Sequence, residues 1–149
     1  MNNSVFSHLI KTIIYRYSTA TKAADLDFGV AQIGKGVRCP NDIIHHMSDI
    51  IIGSLKVCET GTWKREKIEV GNFDIENALF ITSCLDLLDF SKQNTISEKA
   101  QSKLIQGPLS DILTHIGQLS MISRLVSEPV EGQNYSQVDI DAFIDGLSR

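Results

Sequence analysis

Apolar residues recur at helical spacing in four long stretches of the chain. Val5, Phe6, Leu9, Ile10, Ile13, Ile14 and Tyr17 make a stripe two residues wide, with Ser7, His8, Lys11 and Arg16 on the other side. This predicts a helix over residues 3–23. A second stripe, Ile43, Ile44, Met47, Ile50, Ile51, Ser54, Leu55 and Cys58, predicts a helix over residues 41–58, with start chemistry from Pro40 and Asn41. A third helix is predicted over residues 74–92. Ala78, Ile81, Thr82, Leu85 and Leu88 lie inside it, and Phe80, Cys84 and Leu87 widen its buried face. The fourth runs over residues 108–127 and is opened by Pro108, whose fixed φ suits a first helical turn. Leu109, Ile112, Leu113, Ile116, Leu119 and Ser120 form its stripe.

The intervening segments lose this period. Residues 25–40 carry Gly29, Gly34, Gly36 and Pro40 and form a long connection, of the kind that is often functional or spans the end of a bundle. Residues 59–71 are polar and contain Gly61 and Gly71, which predicts a loop from which Trp63 folds back over the core. Thr95 and Glu98 have capping-box spacing and start a short helix to about residue 105, which Gly107-Pro108 interrupts. Beyond Pro129 the chain is polar, with weak helical turns over residues 138–145. No repeat and no strand pattern stands out. The expected fold is all-α: one domain over residues 1–149, a four-helix bundle with a short extra helix before the last long one.

Composition narrows the function classes. The formal net charge is -4, with no basic stripe, which argues against nucleic acid as a partner. The longest apolar runs, residues 50–55 and 85–90, are too short to span a bilayer. The N-terminus lacks a basic region followed by an apolar core, so a cytoplasmic protein is expected. Three cysteines without a CxxC pair fit reduced thiols better than a disulfide frame. Cys58 and Cys84 read as small core residues, and Cys39, beside Pro40, as a more exposed one.

The candidate chemistry lies on the second and fourth helices. Asp111 and His115 are one turn apart and project from one flank of their stripe. On the second helix His45 points about 160° away from Met47, toward solvent, whereas His46 falls about 100° from it, at the border of the apolar arc. His46, Asp111 and His115 therefore make a candidate three-ligand metal site, and three protein ligands would leave positions for water or substrate. Imidazole suits nickel, zinc, copper or iron, while a carboxylate leans toward harder ions. Spacing alone also fits a surface ion pair and a hydrogen-bonded core histidine. Gln118 and Arg124 read as a solvated flank, and Tyr135 as a residue that either covers the site from the tail or merely packs.

Three segments carry a family resemblance. Val37-Arg38-Cys39-Pro40-Asn41-Asp42-Ile43-Ile44-His45-His46-Met47 resembles the segment that opens the second helix of DinB-like (YfiT-type) proteins. Residues 103–118, including Gly107-Pro108-Leu109-Ser110-Asp111-Ile112-Leu113-Thr114-His115, are similar to that family's last-helix segment, and residues 124–135 to the stretch after it. The resemblance implies a DinB-like four-helix bundle holding a divalent metal, often nickel or zinc, on three histidines. His46 and His115 carry over, and Asp111 stands where the third histidine is usual. It further implies a metal-dependent enzyme of the thiol-transferase or hydrolase kind, with a low-molecular-weight thiol or another small molecule as partner. The alternative is a non-catalytic helical module, with a homodimer as one form, whose metal site is vestigial.

Overall fold

The computed structural model describes residues 3–147, and among them there is no strand. Seven α-helices follow in order among these described residues: α1 Ser4–Ala20, α2 Leu26–Gly29, α3 Pro40–Thr60, α4 Phe73–Gln93, α5 Glu98–Leu104, α6 Ser110–Val126 and α7 Ile140–Asp145. A π-helical segment, Ile105–Leu109, joins α5 to α6 without a break, and a single 3-10 turn, Tyr135–Gln137, precedes α7. The all-α expectation holds. The four long helices pack in a ring in which α3 lies against α4 and α6, and α1 also lies against α4 and α6. Their stripes meet in one core of fully buried side chains, among them Phe6, Ile10, Ile14, Tyr17, Ile44, Met47, Ile51, Phe80, Leu87 and Leu88. Among the described residues no helix is long and apolar enough to cross a membrane.

The helix ends follow local chemistry. Asn72 caps α4 by accepting the Ile75 N–H at 3.1 Å, and Gly61, at φ +74°, closes α3 in the left-handed conformation that favours glycine. Ser97 caps α5 by accepting the Ala100 N–H at 3.3 Å, so the expected Thr95–Glu98 capping box is corrected to a cap two residues later. Asn3 ties the start of α1 to the α4–α5 turn: its amide donates to the carbonyls of Ser91 and Asn94, and its oxygen accepts from Gln101 at 2.9 Å. The long connection over residues 25–40 contains α2, which buries Phe28 edge-on to Phe73 at 6.0 Å. The tail returns to α1, where Phe143 and Tyr135 pack edge-on against Tyr15 and Lys11 pairs with Asp141 at 2.6 Å.

Pro108 does not open a helix, contrary to expectation; it lies inside the π segment of a continuous helical run. Leu104 and Leu109 are both buried five residues apart, and at about 100° per residue a regular α-helix would set them about 140° apart. The π turn absorbs the extra residue and brings both to the core. It also accommodates a residue with no N–H to offer the preceding turn. The Ser110 hydroxyl completes the arrangement by donating to the Ile105 carbonyl at 2.5 Å.

His45 does not face solvent either. Its Nδ1 lies 2.9 Å from Oε2 of Glu76 on α4, a residue that is 1% exposed, and the other Glu76 oxygen accepts the Gly71 N–H at 2.6 Å. Because α3 packs against two helices and the loop before α4 closes over it, its covered arc is wider than its apolar stripe. Removing one partner of a buried polar pair leaves the other unsatisfied, at a cost of about 1–3 kcal/mol. His45→Ala is therefore expected to lower stability by about that amount in urea unfolding, and an unchanged midpoint would show that the pair is dispensable.

Candidate metal centre

The ring geometry brings α3 and α6 together at the level of His46, Asp111 and His115. Asp111 Oδ2 lies 3.4 Å from His115 Nε2 and 3.8 Å from His46 Nε2, and the three ligand atoms all fall within 4.8 Å of one another. The two imidazoles stand edge-on, with centroids 5.1 Å apart at 87°. With bonds of about 2.0–2.1 Å, a tetrahedral ion sets its ligand atoms about 3.3 Å apart. The triad thus approaches ligand spacing and needs modest closure to reach it. The side chains of His115, His46 and Asp111 are 14%, 29% and 50% exposed, so the group faces an opening rather than a sealed core.

Local hydrogen bonding prepares His115 as a ligand. Its Nδ1 lies 2.9 Å from Oε1 of Gln118; with the proton on Nδ1 this contact is a hydrogen bond and Nε2 keeps the lone pair that a metal needs. A carboxylate and neutral imidazoles turned on one point repel unless a proton or a cation lies between them. Gln118, read from sequence as solvated flank, is thus the residue that holds the His115 ring from its Nδ1 side. Its position three residues after His115 is the signal that could have found it.

Burial above all, then the neighbouring His115 and the Arg38 guanidinium, holds the His46 imidazole below its ordinary pKa of 6.5, against an upward pull from Asp111. A ring that stays neutral to lower pH stays available as a ligand. In the metal-free protein His46 is expected to titrate below 6.5 by NMR. The unfolded chain then takes up this proton first, so the group's contribution to stability is full above 6.5 and falls as pH drops toward the folded value. Titration at or above 6.5 would mean that the Asp111 carboxylate dominates instead.

Two clefts meet at the triad. One, of about 620 Å³, is lined by Trp63, Arg65 and the π segment as well as His46 and Asp111. The other, of about 600 Å³, runs past His115 and Gln118 between the segment before α3 and α6. Trp63 lies against Gly53, where an added Cβ would come within 2.4 Å of the indole, and it remains 41% exposed, so it covers α3 rather than the core. Tyr135 is not brought to the site; the Arg16 guanidinium stacks on its ring at 3.9 Å. None of the three thiols has a lowered pKa. Burial pushes that of Cys39 up, drives that of Cys84 far above the ordinary range, and raises that of Cys58 to about 11. Of the two expected core cysteines, Cys84 is buried and Cys58 half-buried.

Compared with protein-family models, with curated proteins and with solved structures, the chain matches none of them.

Proposed function

We propose that the chain is a divalent-metal-dependent enzyme of DinB-like four-helix-bundle type, acting on a small molecule by thiol transfer or hydrolysis. His46, Asp111 and His115 would be its metal ligands. The observation that carries this reading is the convergence of two imidazole Nε2 atoms on one carboxylate oxygen, at the meeting point of two open clefts. Three protein ligands leave coordination positions open, the feature that separates catalytic from structural sites. A divalent ion there would act as a Lewis acid and lower the pKa of a bound water or thiol. The chain's own part is to orient the ligands, through Gln118 for His115, and to keep His46 neutral. The two imidazoles favour nickel or zinc over calcium or magnesium.

One observation favours a second reading, a vestigial site in a non-catalytic module. Asp111 is half-exposed and lies within ion-pair distance of both histidines, so protonated imidazoles would satisfy it without a metal. Metal analysis of the full chain purified without a histidine tag decides between the two. About one nickel or zinc per chain, removed by chelator and restored by titration, supports the enzyme; failure to take up either ion supports the vestigial site.

A further inference from the structure

The cleft that runs past His115 has a polarity of its own. Its walls include Val37 and Met121, which are 44% and 56% exposed, so apolar surface faces solvent immediately beside three polar ligand residues. A volume of about 600 Å³ falls in the range of small-molecule sites. Two charged residues line it, Asp111, already committed to the triad, and Arg38. Arg38 is exposed and has no hydrogen bond or ion pair with another described residue. Arg65, which lines the neighbouring cleft, is different: it is held by Asp49 at 2.5 Å and its charge is already matched. In an acidic chain of net charge -4, this cleft therefore presents an unmatched guanidinium and an apolar wall, side by side.

We propose, resting on the reading of the triad as a metal site, that the cleft takes a small organic monocarboxylate. The apolar body lies against Val37 and Met121, and the carboxylate pairs with Arg38. A guanidinium offers two parallel N–H donors that match a carboxylate, and in a partly enclosed cleft such a pair is stronger than a neutral hydrogen bond. A divalent ion on the triad adds positive charge to the same cleft and strengthens the preference for an anion. A neutral molecule of the same shape keeps the apolar contacts and loses the charge pairing.

The test is a ¹H–¹⁵N NMR titration of the full chain, metal-free and zinc-loaded, with sodium hexanoate and with hexanamide. It uses the wild type, Arg38→Ala and Arg38→Lys, with zinc stoichiometry measured for each. Hexanoate is expected to shift the amides of Val37 and Met121 and to bind about tenfold more tightly than hexanamide. Arg38→Ala should remove that preference while leaving zinc stoichiometry and hexanamide binding unchanged, and Arg38→Lys should restore part of it. The proposal is overturned by equal affinities for acid and amide, by hexanoate binding that ignores Arg38→Ala, by shifts confined to other surfaces, or by no binding. If the chain takes up no zinc, the metal reading fails separately. The Arg38-dependent preference in the metal-free protein still decides this inference.

Discussion

His115→Ala is expected to abolish stoichiometric uptake of nickel and zinc, weakening affinity by about a hundredfold or more, while leaving the protein folded. The size of the effect follows from its place: changing a residue that only orients a ligand costs about 10–100-fold, and His115 is itself a proposed ligand. Gln118→Ala should fall in that smaller range, because it frees the His115 ring without removing a ligand. Asp111 separates the possibilities further. If its carboxylate is a ligand, Asp111→Ala loses metal, whereas Asp111→His places imidazoles at positions i and i+4 and keeps or tightens nickel binding. Calorimetric titration of nickel and zinc into the metal-free wild type and these variants measures all four effects. Identical isotherms for wild type, Asp111→Ala and Asp111→His would remove Asp111 from the site. Two histidines alone would be too few for the proposed centre.

What the sequence made legible was whatever one helix decides by itself. The third long helix is expected over residues 74–92 and found as Phe73–Gln93, because its apolar run is a local signal. The pairing of His46 with Asp111 and His115 was also within reach, since helical phase places each at the edge of a buried stripe. The misreadings arise where a second element intervenes. His45 is polar and off the apolar stripe, yet α4 supplies Glu76 and the loop supplies the Gly71 N–H, so its apparent solvent face is a buried polar contact. Pro108 carries a start signal that is real in isolation, but the five-residue interval from Leu104 to Leu109 had to be resolved by a π turn, and only packing shows that both leucines must point inward. The role of Arg38 depends on which charges lack partners in three dimensions, which no spacing rule encodes.

Phe80→Ala is expected to cause the largest loss of stability, about 3–5 kcal/mol, a sizeable share of the roughly 5–15 kcal/mol typical of a whole domain. Phe80 is fully buried, and its ring lies 4.4 Å from that of Tyr17 on α1. One turn earlier on α4, Asn77 accepts the Tyr17 hydroxyl at 2.9 Å, so the Tyr17 ring is held by its far end and cannot readily collapse into the space an alanine would leave. Ile75→Ala on the same helix is the control; that residue is 58% exposed, and its change should stay within about 0.5 kcal/mol. Urea unfolding measures both, with the midpoint shifting and the slope unchanged if only native packing is lost. The proposed metal ligands lie on α3 and α6 and share no hydrogen-bond or ion-pair partner with Phe80 on α4, so the two effects should add. A given excess of zinc should then stabilise Phe80→Ala by the same increment as wild type, because it acts only through binding to the folded state. A smaller zinc increment in Phe80→Ala would show that core packing against α4 also holds the ligands in place, and equal stability of Phe80→Ala and Ile75→Ala would contradict the packing described for α1 and α4.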